Sequence, residues 1–120
     1  MFKLVIHLSE LDKWPLALNN IRNTVQALST DHSPFEIALI ANAGAVKGYL
    51  DPEIRTLVSQ IQQFDTLNIR FLACNNSLTG QNISLDQLNT ANDSSIIEIV
   101  PVAVIALVEY QNAGFAYIKP

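Results

Sequence analysis

The sequence predicts one α/β domain of three layers, in which helices cover both faces of a mostly parallel sheet of about five strands. Short apolar runs, often β-branched, alternate along the 120 residues with longer segments whose apolar positions recur every three or four residues. No internal repeat or low-complexity linker interrupts this alternation. The length also fits one domain, since roughly 100–200 residues are usual, so residues 1–120 are expected to share a single core.

The strands are predicted where nearly every residue is apolar, which is typical of strands that helices cover on both faces. Residues 35–41 show this most clearly, because Glu36 is their one charged residue. The last predicted strand follows Gly114 and is shorter than the others. The five predicted strands are residues 3–8, 35–41, 68–73, 96–100 and 115–118.

The two long helices are each predicted from a start signal followed by helical spacing. Asp12 is the expected N-cap of the first helix, with Pro15 still inside its tolerated first turn. Asp51 and Pro52 give the same signals for the second helix. Apolar residues then recur at Trp14, Leu18, Ile21, Val25 and Leu28 in the first helix, and at Ile54, Leu57, Val58, Ile61 and Phe64 in the second.

Three shorter helical segments are expected between the remaining strands. Ser84 or Asp86 is expected to begin one of them, because both residue types are good N-caps. Residues 89–95 are polar and are predicted to form a loop. The three short segments are residues 46–50, a turn capped by the polar residues 75–77 after Cys74, and residues 85–88.

The last helix is predicted to be apolar around its whole circumference. Pro101 is expected to begin it, and Gly114 is expected to follow its end near Asn112 as the C′ residue. Residues 102–108 contain no polar side chain. A chain of this size cannot cover a helix on every side, so a homo-oligomer is expected, with closed cyclic symmetry as the default.

Composition and charge argue against several classes of partner. The seven basic residues are scattered from Lys3 to Lys119 in a chain of net charge −4, whereas nucleic-acid binding needs clustered cations. The apolar stretch at residues 96–108 contains Glu98 and Pro101, and it is too short for a bilayer, which takes about 20 apolar residues. Neither a nucleic-acid nor a membrane partner is expected. The single cysteine and the lack of signal-peptide features predict a reducing, cytoplasmic location.

Reactive and polar residues lie at the predicted carboxyl ends of the strands, where open parallel sheets bind ligands. Cys74 ends the third strand just before a helical turn. Unpaired backbone N–H groups at such a position favour the thiolate, and a reactive thiolate forms reversible states that include a persulfide. The alternative interpretation is that Cys74 is a buried core residue, as free cysteines often are.

The other candidates are expected to line a ligand pocket near Cys74. His7 would act as a proton donor or hydrogen-bond partner, although a lone histidine at a strand end is more often only a satisfied polar residue. Asn42 and Gly44 are expected to form a turn first and a pocket wall second, because one glycine is far from a phosphate-binding fingerprint. The candidate ligand-binding residues are His7, Asn42, Gly44, Asn75, Asn76 and Ser77.

No metal ion or cofactor is indicated by the sequence. His32 lies in the loop before the second strand, so His7 has no second histidine at ligand spacing. The carboxylates are spread through caps, loops and a strand, and their spacing nominates no acid/base pair. The chain also lacks a Cys-X-X-Cys motif and a nucleophile-elbow serine, which argues against thioredoxin-like redox chemistry and serine hydrolysis.

Several strings of residues stand out together along almost the whole chain. The most specific are residues 71–78, Phe-Leu-Ala-Cys-Asn-Asn-Ser-Leu, and the ending Gly-Phe-Ala-Tyr-Ile-Lys-Pro at residues 114–120. Val5-Ile6-His7, residues 37–42 followed by Gly44, and Val100-Pro101 add to them. In this combination the chain resembles the DsrE/DsrF-like family, particularly its branch of small stand-alone bacterial and archaeal proteins.

The resemblance implies a three-layer domain that assembles as trimers or hexamers. It also implies that sulfane sulfur is passed as a persulfide through Cys74, with sulfur donor and acceptor proteins as partners. Ser77 stands where this branch more often has threonine, and the exchange keeps the hydroxyl.

Three functions remain open from the sequence. The first is a sulfur carrier or sulfurtransferase component that uses Cys74. The second is a non-catalytic homo-oligomeric module that binds a small anionic or nucleotide-like ligand. The third is a cysteine-dependent hydrolase, which needs a base within hydrogen-bond reach of the thiolate, and His7 is the one eligible base at the strand ends.

Overall fold

Five parallel strands form one sheet in the computed structural model, which describes residues 1–65, 68–93 and 95–120. The strands are β1 (Phe2–Leu8), β2 (Phe35–Ala41), β3 (Ile69–Cys74), β4 (Ile97–Val100) and β5 (Ala116–Ile118). Their order across the sheet is β4-β3-β2-β1-β5, so β2 separates β1 from β3. Because every neighbouring pair is parallel, all the carboxyl ends lie at one edge of the sheet.

Helices lie on both faces of the sheet, which confirms the predicted three-layer α/β/α class. The described helices are α1 (Trp14–Thr30), α2 (Pro52–Phe64), α3 (Asn75–Gly80), α4 (Leu85–Ala91) and α5 (Ala103–Asn112), with 3-10 segments at Leu11–Lys13 and Ala43–Leu50. The larger core packs α1, α2, α4 and the second 3-10 segment against one face. Among the described helices, α5 alone contributes to the core on the other face, where it covers Val5, Ala38, Ile40, Leu72 and Cys74.

Three of the predicted helix signals are confirmed, two by hydrogen bonds and one by a backbone angle. Asp51 caps α2 by accepting from the backbone N–H groups of Glu53 and Ile54 at 2.9 and 3.1 Å. Ser84 forms a reciprocal capping box with Gln87 at the start of α4. Gly114 follows α5 with a φ of 95°, a left-handed conformation that glycine adopts without steric cost.

Three predicted boundaries were wrong. Asp12 does not cap α1, because it lies inside the 3-10 segment that precedes the helix, and Lys13 is the N-cap. Pro101 does not begin α5. Val102 still has an extended backbone, and the helix starts at Ala103. Helix α4 continues to Ala91, so the loop predicted at residues 89–95 is shorter; Ser94 lies outside the described residues.

The second 3-10 segment connects the core to the carboxyl edge of the sheet. The Trp14 indole donates to the Ala45 carbonyl at 2.8 Å and packs edge-on against Tyr49, with 5.1 Å between ring centroids. The Tyr49 hydroxyl in turn donates to the Leu72 carbonyl at 2.8 Å, two residues before Cys74. These bonds fix the segment, and with it Ala43, beside the end of β3.

Candidate functional site

Cys74 is both the last residue of β3 and the N-cap of α3. Its side chain points to the α5 face of the sheet and is buried, with 4% of the residue exposed. The residue pairs with Val100, the last residue of β4, so the starts of α3 and α5 both lie next to it. The predicted position at a strand's carboxyl end and before a helical turn is therefore where the structure places this cysteine.

Donor groups of α3 and α5 lie near the Cys74 sulfur, although its side chain makes no capping hydrogen bond in the first turn of α3. Burial, the largest single influence, raises the pKa of the thiol, but it is outweighed by the Ser77 hydroxyl and by the backbone N–H groups of Ser77, Ala103 and Asn76, which favour the charged form. The pKa of Cys74 therefore lies below its ordinary value. The physical cause is that these donors bond to the charged thiolate more strongly than to the neutral thiol.

Ser77 connects Cys74 to the turn after β2. The backbone N–H of Ala43 donates to Ser77 Oγ at 2.7 Å, which leaves the Ser77 hydroxyl proton free to point to the sulfur. Ala43 has a φ of 48°, in the left-handed region that a residue with a Cβ rarely adopts. The strained residue of the turn is thus Ala43, whereas a Cβ added at Gly44 would meet no atom within 4 Å.

His7 belongs to a separate hydrogen-bond network and does not serve Cys74 as a base. Its Nε2 lies 3.0 Å from Asn42 Oδ1, and its Nδ1 lies 2.7 Å from the Tyr117 hydroxyl. Because the amide oxygen only accepts, Nε2 carries the proton and Nδ1 accepts from Tyr117. His7 is also in β1, two strands from β3, which places the two backbones about 10 Å apart across the sheet.

The remaining sequence candidates lie at the same edge with different roles. Asn75 and Asn76 are exposed in the first turn of α3, and Asn76 contributes its backbone N–H to the sulfur. Asn42 joins the His7 network and precedes the strained Ala43. The structure therefore brings Ser77 and Asn76 to Cys74 and places His7 and Asn42 beside them at the edge.

Sequence reasoning missed the contributions of Ala43, Ala103 and Tyr117. The first two act through backbone N–H groups, which no side-chain pattern reveals. Tyr117 reaches His7 because β5 pairs with β1, and the strand order was unresolved in the sequence. The available signal was the aromatic residue in the last predicted strand.

Two other kinds of feature are absent from the described residues. No group of three or more His, Cys, Asp or Glu residues in ranges 1–65, 68–93 and 95–120 lies close enough together to hold a metal ion. Within the same ranges, no helix has the length and apolar character needed to cross a membrane.

Comparisons with known proteins support the fold. No protein-family model matches the chain, and no curated protein matches it. A protein of unknown function from Methanobacterium thermoautotrophicum, MTH1491, is similar over 100% of both chains, with a TM-score of 0.79 and 26% identity. A conserved protein of unknown function from Bacteroides thetaiotaomicron, BT1422, covers 98% of this chain and 94% of its own, with a TM-score of 0.72 and 18% identity. The ychN protein from E. coli covers 100% of both chains, with a TM-score of 0.63 and 16% identity. The chain thus shares its α/β fold with these three proteins.

Proposed function

We propose that this protein carries sulfane sulfur as a persulfide on Cys74, as its resemblance to the DsrE/DsrF-like family implies. The observation that carries the proposal is the set of donor groups near the sulfur, which favours the thiolate while the ring of His7 is bonded to Asn42 and Tyr117. A sulfur carrier needs a nucleophilic thiolate that is also a good leaving group, and it needs no base to activate water.

The proposed transfer has two balanced steps. The Cys74 thiolate attacks the terminal sulfur of a donor persulfide, a new S–S bond forms at Cys74, and the donor departs as a thiolate as its own S–S bond breaks. An acceptor thiolate then attacks the terminal sulfur of the Cys74 persulfide. The S–S bond at Cys74 breaks, and Cys74 is released as a thiolate. No net oxidation occurs, and the donors at Ser77, Asn76 and Ala103 stabilise the thiolate at the beginning and the end.

The hydrogen bonds of His7 favour this function over the cysteine-dependent hydrolase. A hydrolase requires a group that takes a proton from the thiol or from water. Both ring nitrogens of His7 are instead occupied, by Asn42 and Tyr117.

Sulfur uptake by the purified protein tests the proposal. After incubation with glutathione persulfide, we expect the intact mass to rise by about 32 Da per chain and to return after treatment with a reductant. Cys74 is the one cysteine in the sequence, so the Cys74→Ala variant is expected to gain no reducible mass. The same gain in the variant, or no gain in the wild type, would show that Cys74 does not carry sulfur.

The proposal includes a homo-oligomer, a trimer or a hexamer, in which α5 lies at the interface. On this helix Val104, Ile105 and Val108 are 63%, 57% and 51% exposed. Ala103, Ala106 and Leu107 of the same helix are buried against the sheet. Exposed aliphatic side chains at adjacent helical positions form a continuous apolar stripe, which another copy would remove from water.

Charging this stripe is expected to dissociate the oligomer. Val108→Glu would place a carboxylate in the proposed interface without a partner, and light scattering with size-exclusion chromatography is expected to show a monomer. Gln60→Glu, on exposed α2 surface, is the matched control and is expected to keep the wild-type mass. A monomeric wild type would show that the protein does not assemble. An unchanged mass in Val108→Glu would show that the interface lies elsewhere.

A further inference from the structure

A cleft lies between the C-terminal half of α5 and the sheet, and it extends from Glu36 and Asn68 near the amino ends of the strands to Val100. Its volume is about 510 Å³, within the size range of small-molecule sites. Ala38 and Leu72 of the sheet and Ala106 of α5 give it an apolar floor. Tyr110 and Phe115 form one wall, packed edge to face with 4.8 Å between their ring centroids.

The charges around this cleft favour a cation. Arg70 is held by Glu98 through two bonds, from Nε at 2.7 Å and Nη2 at 2.6 Å. Glu36 and Glu109 also line the cleft, and Glu36 lies close enough to Arg70 to interact with its charge. The charged side chains that line the cleft are thus two carboxylates and one cation, which leaves a net negative charge.

The end of α5 adds to this preference. The cleft lies under the last turns of the helix, the end at which the helix dipole carries partial negative charge. The chain already places an alkylammonium there, since Lys3 Nζ donates to the Ala113 carbonyl at 3.0 Å and lies 5.4 Å from the centroid of the Phe115 ring. Arg70 similarly lies 5.9 Å from the Tyr110 centroid, so both aromatic rings accept cations.

We propose that this cleft is a binding site for a small organic cation with an apolar body. The apolar part would lie on Ala38, Leu72 and Ala106 against the two rings, and the charged group would pair with the carboxylates of Glu36 and Glu109. An anion of the same shape would be repelled by these two carboxylates. The site does not depend on the chemistry of Cys74.

The apolar stripe proposed for assembly lies on another side of the same helix. Val104 and Val108 are one turn apart on the outer surface, whereas Ala106, Glu109, Tyr110 and Ala113 face the cleft. Ile105, the third residue of the stripe, lies one turn before Glu109, so the stripe borders the cleft at this position without including its floor.

A matched pair of probes tests the proposal by nuclear magnetic resonance of backbone amides. We expect 2-phenylethylammonium to shift the amides of Leu72, Tyr110 and Phe115, and 3-phenylpropionate, of the same shape and opposite charge, to bind at least about tenfold more weakly. The Glu36→Gln, Glu109→Gln double variant is expected to bind the cation at least about tenfold more weakly. Glu53→Gln on α2 is the control and is expected to leave the affinity for the cation unchanged.

Filling the cleft provides a second variant, since Ala106→Leu is expected to abolish the shifts. If that variant does not fold, the carboxylate variants, which alter partly exposed or exposed residues, still decide the result. Equal or tighter binding of the anion, shifts confined to another surface, or no shifts up to about 20 mM cation would overturn the proposal. A cleft covered by a second copy would also give no shifts, and this result would equally overturn the proposal. Cys74→Ala is expected to bind the cation normally, so failure of sulfur uptake and failure of this site are distinguishable.

Discussion

Replacing Gly48 with alanine is expected to lower the free energy of unfolding by about 3 kcal/mol, because the new methyl group overlaps the buried indole of Trp14. A Cβ at this position would lie within 2.6 Å of three indole atoms. Trp14 is fully buried, and its N–H donates to Ala45 within the same 3-10 segment. Relief of the clash must therefore displace the indole, with loss of that hydrogen bond and of its edge contact with Tyr49.

Gly44→Ala is the matched control, because it makes the same change in the same segment without a clash. It is expected to change the stability by no more than about 0.5 kcal/mol. Equilibrium urea denaturation measures both variants. A loss in Gly48→Ala no larger than that in Gly44→Ala would show that the Trp14 packing described here is incorrect.

Replacing Ser77 with alanine is expected to raise the pKa of the Cys74 thiol and to lower its thiolate fraction at neutral pH about tenfold. The variant removes the hydroxyl that favours the Cys74 thiolate, and a hydrogen bond to a charged group contributes about 1.5–3 kcal/mol. The rate of alkylation is expected to fall less, about threefold, because a thiolate of higher pKa is the stronger nucleophile. The ultraviolet absorbance of the thiolate gives the fraction, and reaction with iodoacetamide gives the rate.

Two further variants distinguish this hydrogen bond from a general disturbance of α3. Ser77→Thr keeps the hydroxyl and is expected to retain the low pKa of Cys74. Thr79→Ala removes an exposed hydroxyl from the same helix and is expected to have no effect on the thiol. If Ser77→Ala leaves the thiolate fraction unchanged, the hydroxyl does not stabilise the charge.

The elements of this fold were predictable where one local signal dominates. Asp51 before Pro52 located the start of α2, and Gly114 located the end of α5, because caps are decided by the chemistry of one or two residues. Asp12 misled because the chain makes a 3-10 turn before α1, a choice that tertiary packing makes and that a capping residue does not reveal.

The candidate site was predictable only in part. The position of Cys74 at a strand end followed from the alternation of strands and helices. Its other partners depend on which elements lie side by side: the N–H of Ala103 comes from the start of α5, and Ala43 reaches Ser77 across 34 residues of sequence. Such contacts follow from strand order, which apolar periodicity does not encode.

The proposed sulfur transfer requires a Cys74 thiol that ionises more easily than an ordinary cysteine, and the pKa of Cys74 in the wild-type protein is its most direct test. Thiolate absorbance and alkylation rate are measured over a range of pH, with Cys74→Ala as the blank. We expect a single titration below about 8.5, the ordinary value for cysteine, with both signals lost as the pH falls through it. A pKa at or above that value would contradict the account, because burial would then outweigh the donors at Ser77, Ala103 and Asn76.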